Sequence, residues 1–159
     1  MEYRMMNGTI YLRVDPGESL CKSILEVLQR EKVQGGWLQG IGACDAARLS
    51  TYLPEKNEFV SHRLSGMLEL VSLSGNASTA QDGRPFLHAH AVFSYLDESG
   101  TPKVAAGHLE DVRVSYTGEV AIFTAPEKIG RRFDAGAGID VWDFSGDPEA
   151  APCQKKEAV

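Results

Sequence analysis

The sequence predicts a largely antiparallel β-sheet with few helices. From Trp37 onward the chain consists of short β-branched and aromatic runs separated by turn residues, a pattern typical of antiparallel strands. One segment, which begins at Ser19, has the apolar spacing of a helix instead. The 159 residues have the size of one ordinary domain, which is enough for a proper core.

The N-terminal part predicts one strand followed by one helix. Residues 9–14 alternate in polarity as a strand does, and the Asp-Pro-Gly of residues 15–17 stops them. The helix begins at Ser19, and its apolar residues form one stripe at regular spacing: Leu20, Ile24, Val27 and Leu28. Acidic residues near its start and basic residues near its end favour the helix dipole. Gly35 and Gly36 end this element.

Seven further strands are predicted, with turn residues between most of them. The strands cover residues 37–44, 47–53, 58–64, 66–75, 86–96, 103–117 and 119–125. Residues 76–85 are expected to form a loop of small residues. Residues 125–144 suggest an irregular segment whose Ile139, Val141, Trp142 and Phe144 pack back on the domain. We therefore expect one domain over residues 1–144 and a polar, disordered tail over residues 145–159.

Composition and charge exclude several classes of protein. The formal net charge is −6 with a pI of about 5.2, and Lys and Arg are scattered, which counts against binding to DNA phosphates. No apolar run is long enough to cross a membrane, and the N-terminus lacks a secretory signal. Cys21, Cys44 and Cys153 are odd in number and far apart, without disulfide or zinc-ribbon spacing. We expect a cytoplasmic protein that does not bind membranes.

Three of the four histidines lie close together in the sequence, between residues 85 and 110. His88 and His90 are two residues apart on a predicted strand, so they project from the same face. A five-residue loop at residues 97–101 would reverse the chain and set His90 opposite His108. Cross-strand partners share a face with Cβ atoms roughly 4.5–5.5 Å apart, so all three imidazoles would converge. A bulge at Gly107 would shift this register by one residue.

Three converging imidazoles make a good site for Zn²⁺, with a fourth position left to water or a ligand. Because imidazole is not selective, Fe, Mn, Ni or Cu are alternatives. Glu110, two residues after His108, would accept a proton or orient an imidazole as an acid/base or supporting carboxylate. The alternative is that the pair on one strand is structural, but the third histidine opposite it favours a metal. The remaining histidine, His62, is expected to face solvent.

Three stretches together resemble the plant-and-prokaryote-conserved (PPC) domain. LHAHAVFSYLDESGTPKVAAGHL matches that family's H-x-H and G-H-L signature, and MLELVSLSGNAS matches its E-hydrophobic-x-S-L-S-G-N strand. GWLQGIGACDAARLSTY agrees with it as well, so the resemblance covers about residues 8–125. It implies an α/β (α+β) fold in which a mostly antiparallel sheet packs against one or two helices. It also implies a homotrimer.

The resemblance further implies a metal, usually taken as zinc, on His88, His90 and His108. Glu69 matches the acid of the family's strand, and it is either near the site or a subunit contact, or an ordinary exposed carboxylate. In plants the domain accompanies AT-hook motifs, which bind DNA through an R-G-R-P core. Here Gly83-Arg84-Pro85 matches only part of that core, without the first Arg or a basic flank, so it predicts an ordinary loop.

Three functions follow from these observations. The first is a homotrimeric metal-binding protein of the PPC type, with zinc on three histidines and a small molecule as a candidate ligand. The second is a DNA-binding or transcription-associated protein, as the family label suggests. The third is a metal-dependent hydrolase that uses a zinc-bound water.

Overall fold

The computed structural model describes residues 1–145, so the predicted tail, except for Ser145, lies outside the described residues. In the described part, eight strands and one helix follow in the order β1 (Glu2–Met6), β2 (Thr9–Val14), α1 (Leu20–Arg30), β3 (Gly36–Leu53), β4 (Glu58–Thr79), β5 (Pro85–Leu96), β6 (Pro102–Thr124), β7 (Gly130–Asp134) and β8 (Ile139–Asp143). The predicted strand at residues 9–14 is β2.

The strands form one sheet in which neighbouring strands are almost all antiparallel. Its order is β1-β2-β6-β3-β4-β7-β8, and β5 pairs with both β4 and β6. The one parallel contact joins Thr79 of β4 to Gly130 of β7. Because β3 also pairs with both β4 and β6, strands β3 to β6 close into a ring of pairings. The predicted fold class, a mostly antiparallel sheet with a helix, is confirmed.

The hydrophobic core lies between the helix and one face of the sheet, which we call the inner face. Helix α1 packs against β5, β6 and β2. The largest fully buried side chains come from the helix and from five strands: Phe93, Ile10, Leu20, Ile24, Leu28, Leu38, Leu49, Leu68, Leu70, Leu73, Ile122 and Val14. The opposite side, the outer face, carries no helix within residues 1–145. Core packing therefore leaves the outer face available for other contacts.

The helix begins as predicted but ends earlier than Gly35 and Gly36. Ser19 caps it, because its hydroxyl accepts the backbone N–H of Lys22 at 3.2 Å. At the other end Lys32 has a positive φ of 53°, and the N–H of Val33 donates to the carbonyl of Leu28. This is the hydrogen bonding of a helix C-terminus with a left-handed residue, here a lysine instead of the usual glycine. No helix in the described residues is long and apolar enough to span a membrane.

Several predicted runs are halves of longer strands. Residues 37–44 and 47–53 join into β3, and the polar Asp45 between them is the extra residue of a bulge against β6, where Cys44 pairs with Val114 and Ala46 with Arg113. The other runs join into longer strands as well, into β4 across Ser65 and into β6 across Gly118. The predicted loop at residues 76–85 was too long, because β4 continues to Thr79.

Two hairpins were missed at the ends of the described chain. Strand β1 pairs with β2 through a two-residue turn in which Asn7 and Gly8 have positive φ values of 50° and 76°. Asn-Gly is a strong hairpin signal, but β1 is mostly exposed and lacks an alternating pattern. The segment predicted to be irregular instead forms the β7–β8 hairpin, whose turn is stabilised by N–H groups that donate to Asp134. Ile139 and Phe144 do not pack back, since about half of each is exposed.

We expect Leu28→Ala to destabilise the protein much more than Leu96→Ala. Leu28 is fully buried under the sheet, whereas Leu96 is 67% exposed at the end of β5. Loss of a buried leucine leaves a cavity and costs about 2–5 kcal/mol, and an exposed substitution costs about 0.5 kcal/mol or less. Urea unfolding of both variants measures the difference. Equal losses in the two variants would contradict this placement of the core.

Candidate metal centre

The β5–β6 hairpin has the register that the sequence predicted. His90 pairs with His108, Val92 with Ala106, Ser94 with Val104 and Leu96 with Pro102, and no bulge occurs at Gly107 within this ladder. The connecting loop is held by Asp97, whose carboxylate accepts the N–H groups of Ser99 at 2.9 Å and Thr101 at 3.0 Å. Gly100 has a φ of 78°, which this turn requires. The loop therefore determines which residues of the two strands face each other.

The three histidines converge on the outer face of the sheet. Their ring centroids are 5.3 Å apart for His88 and His90, 5.2 Å for His88 and His108, and 5.4 Å for His90 and His108. One ring nitrogen from each can be chosen so that all three lie within 4.8 Å of one another. Three neutral nitrogen donors at this spacing suit zinc or another first-row divalent metal, and they leave a coordination position open.

Small residues let the strands approach closely behind these histidines. A Cβ on Gly107 would lie 2.8 Å from the carbonyl oxygen of Ser50, the residue that pairs with His108 from β3. A Cβ on Gly75 would lie 2.5 Å from the carbonyl oxygen of His88. Side chains at these two positions would push β3 away from β6 and β4 away from β5. Both glycines are therefore needed for the strand spacing that brings the rings together.

The environment favours the metal-binding form of two of the three histidines. Partial burial lowers the pKa of His88, and the nearby charges of His108, Arg131 and His90, in that order, lower it further. Burial also lowers the pKa of His108, as does His90, while Glu110 acts in the opposite direction. The neutral imidazole is favoured in both residues, and neutral imidazole is the form that ligates a metal.

Glu110 lies beside the cluster as an ionised carboxylate. It accepts the hydroxyl hydrogen of Ser61 at 2.5 Å and forms an ion pair with Arg48. The bond from Ser61, followed by the charge of Arg48, holds the pKa of Glu110 below its usual range. Its charge reaches His108. Glu110 does not belong to the group of converging ligand atoms, which consists of the three histidines.

The other two residues considered from the sequence lie away from the cluster. Glu69 is exposed and pairs with Ser94, which is four residues beyond His90, roughly 13 Å along β5. His62 is also exposed and pairs with Leu49 of β3. Neither residue is brought to the three histidines by the fold.

The sequence did not predict that residues of the β7–β8 hairpin lie beside the three histidines. Arg131 of β7 donates from Nε to the Ser78 hydroxyl at 2.7 Å and from Nη2 to the Asn76 side-chain oxygen at 3.0 Å. Trp142 of β8 donates to the same Asn76 oxygen at 3.2 Å. Asn76 is the cross-strand partner of His88, so the β7–β8 hairpin is fastened next to the cluster. In the sequence Arg131 is only one half of a short basic pair, with no spacing relation to the histidines.

Comparison with protein-family models adds the family to this geometry. Residues 1–126 match the model of the Plants and Prokaryotes Conserved (PCC) domain, which is most of the chain. The chain belongs to the PCC domain family. This is the family that is called the PPC domain in the sequence analysis, so the sequence motifs identified the family correctly. Comparison with curated proteins gives no match.

Several solved structures are similar to this PCC domain. A metal-containing protein from Archaeoglobus fulgidus is 32% identical, with a TM-score of 0.75 over 89% of this chain and 96% of that protein. A plant- and prokaryote-conserved protein from Pyrococcus horikoshii is 31% identical, with a TM-score of 0.73 over 89% and 94%. A candidate DNA-binding protein from Bacteroides thetaiotaomicron reaches a TM-score of 0.81 over 91% and 97% at 19% identity. At that identity the likeness shows the fold alone.

Protonation of the cluster should destabilise the metal-free PCC domain. The pKa values of His88 and His108 lie below the ordinary 6.5, so the unfolded chain binds protons more readily than the folded one. The resulting stability is present above pH 6.5 and is lost as the pH falls through the lowered values. We expect the free energy of unfolding in urea, measured with a chelator, to fall between about pH 7 and about pH 5.

The matched variants are His88→Gln, which should make this decrease smaller, and His62→Gln, which should leave it unchanged. His62 is an exposed histidine outside the cluster. A decrease of equal size in His88→Gln and in the wild-type protein would show that the cluster is not its source.

Proposed function

We propose that the protein is a zinc-binding homotrimer of the PCC domain, with the metal on His88, His90 and His108. The observation that carries this proposal is the convergence of three ring nitrogens within 4.8 Å on a hairpin of defined register. Support also comes from the Archaeoglobus protein, which is described as metal-containing and is 32% identical. Three imidazoles without a thiolate or a ligating carboxylate fit zinc best among the common metals, because zinc accepts a three-histidine site with one open position.

The residues of the chain have separate tasks in this proposal. The three histidines hold the metal through neutral nitrogens, and the metal, when bound, acts as a Lewis acid toward a ligand in the open position. Glu110 supplies a negative charge near His108 and is held in place by Ser61 and Arg48. Supporting carboxylates of this kind orient imidazole ligands and raise their basicity. Glu69 is given no part in the proposed metal binding, because within one chain it lies several residues along the sheet from the histidines.

A metal-dependent hydrolase is a second candidate, and the position of Glu110 favours it. This carboxylate is ionised and its charge acts on His108, so it can accept a proton from a metal-bound water, and its lowered pKa makes it a weak base for that step. Its bonds to Ser61 and Arg48 hold that position constant. Cysteine chemistry is disfavoured in the described residues, since burial raises the pKa values of Cys21 and Cys44 to about 12. These two buried free thiols also fit the reducing cytoplasm that we propose as the location.

Self-association is supported by the outer face of the sheet. Tyr11, Ile41 and Val71 are each at least half exposed and line one open groove of about 800 Å³. Large apolar side chains grouped on one surface are typical of interfaces between subunits. Further exposed aromatic residues, Trp37 and Phe123, pair with each other on the same face. A second copy of the chain is the occupant that we propose for this surface, in a closed assembly of three.

DNA binding is the weaker candidate. The Bacteroides protein that is described as a candidate DNA-binding protein is only 19% identical to this chain. The formal net charge of −6 opposes the approach of a polyanion. Arg84, in the segment that partly matches an AT-hook core, lies in the β4–β5 loop and forms an ion pair with Asp82 at 2.7 Å. Its charge is therefore already compensated.

Metal analysis tests the central proposal. We expect about one zinc per chain in the purified wild-type protein and almost none in His90→Ala, because two imidazoles rarely retain zinc on their own. His62→Ala, which removes a histidine outside the cluster, should keep the full metal content. Mass spectrometry of the metal content measures all three proteins. A wild-type protein without metal, even after incubation with zinc and dialysis, would rule the proposal out.

The assembly is tested by the mass in solution. Light scattering should give about three times the 17.3 kDa mass of one chain. Ile41→Glu places a charge in the groove and should shift the protein toward the monomer, because a buried unpaired charge is costly. Ile139→Glu, at an isoleucine that is similarly exposed on β8, should leave the mass unchanged. A wild-type protein that remains a monomer at high concentration would contradict the trimer.

A further inference from the structure

Arg131 places a buried positive charge beside the metal centre. Only 8% of this residue is exposed, and it takes part in none of the ion pairs found within residues 1–145. Its guanidinium lies 4.2 Å above the ring of Phe86 and bonds to Ser78, to Asn76 and to the carbonyl oxygen of Asp140. All of these partners are formally neutral groups. Removing a cation from water in this way is costly unless an anion compensates it.

The guanidinium is next to His88 on the outer face. Asn76, which accepts from Arg131, is the cross-strand partner of His88, and Phe86 precedes His88 by two residues on the same face of β5. The charge of Arg131 is felt by His88, whose neutral form it favours. A guanidinium has five N–H groups, and three of them are used in the bonds described. One N–H group on Nη1 and one on Nη2 take no part in these three bonds.

The acidic residues near Arg131 do not remove its charge. Asp140 raises the pKa of Arg131 from a distance, but burial, which lowers it, has the larger effect. Asp140 and Asp82 line a cavity of about 340 Å³ next to Arg131, and their carboxylates disfavour an anion there. At the histidines the neighbouring carboxylate is that of Glu110, which is already paired with Arg48. An anion is therefore favoured on the histidine side of the guanidinium.

We propose that Arg131 and the three-histidine centre form one binding site for a small oxyanion, a carboxylate or a phosphate. The anion takes the position that the histidines leave open, and Arg131 supplies a positive charge and the free N–H donors beside it. This inference rests on the proposed metal centre and adds the chemical class of its ligand. Arginine suits this role because its planar fork matches the oxygens of carboxylate and phosphate.

Calorimetric titration of the zinc-loaded protein with inorganic phosphate, and separately with oxalate, tests the site. Arg131→Met removes the charge but keeps an apolar chain above Phe86. We expect this variant to retain its zinc and to bind the preferred anion about 10-fold or more weakly, as the loss of a charged hydrogen bond implies. Arg132→Met, the same change at an exposed neighbour that pairs with Asp134, should bind the anion like wild type. The probe that binds more tightly assigns the site to phosphate or to carboxylate.

The outcomes separate this inference from the metal proposal. Zinc content is measured first, and a wild-type protein without zinc refutes the metal proposal itself. A zinc-loaded wild type that binds neither probe, or an Arg131→Met variant that binds as tightly as wild type, overturns the anion site alone. Equal weakening in Arg131→Met and Arg132→Met also overturns it, because that result reflects general charge. If Arg131→Met does not fold, the arginine Nε–H signals in the NMR spectrum of the zinc-loaded wild type are followed instead. If neither phosphate nor oxalate shifts any of these signals, the anion site is refuted.

Discussion

Asp97 accepts hydrogen bonds from the N–H groups of Ser99 and Thr101, and these bonds shape the five-residue loop between β5 and β6. The loop determines the register of the two strands, and the register brings His90 opposite His108. Because side chains alternate between the two faces of a strand, a slip of one residue would move one histidine to the inner face. The candidate centre thus depends on a few hydrogen bonds in an exposed loop. This loop lies about six cross-strand residue pairs from the histidines.

The fold places the hydrophobic core on one face of the sheet and the candidate metal centre on the other. The inner face packs its leucines, valines and isoleucines against the helix, and the ring formed by β3 to β6 encloses this core. The outer face holds the histidines, and a single row of paired residues leads from them through Ser74, Gln39 and Ala121 to Tyr11. The centre and the groove that we assign to self-association therefore lie on one continuous surface. Contacts between subunits would lie close to any ligand in the centre.

The surroundings of the cluster are electrically asymmetric. On one side Glu110, Ser61 and Arg48 form a compensated group, and the charge of Glu110 acts on His108. On the other side the β7–β8 hairpin brings Arg131, whose partners are a hydroxyl, an amide and a carbonyl. Both charged groups act on neutral imidazoles, which is the state in which histidine binds a metal. Three histidines beside a buried cation are the surroundings in which we propose a negatively charged ligand.

The sequence by itself determined the family, the helix start and the face and register of the three histidines. These features depend on local signals: an N-cap at Ser19, alternation along β5 and a turn of known length. Only the tertiary structure decided that short runs merge into long strands, because bulges and glycines that break a pattern in sequence are accommodated when strands pair on both sides. It also decided that Glu69 lies away from the centre and that Arg131 lies beside it. Such placements depend on contacts between residues that are far apart in the chain, and no periodicity records them.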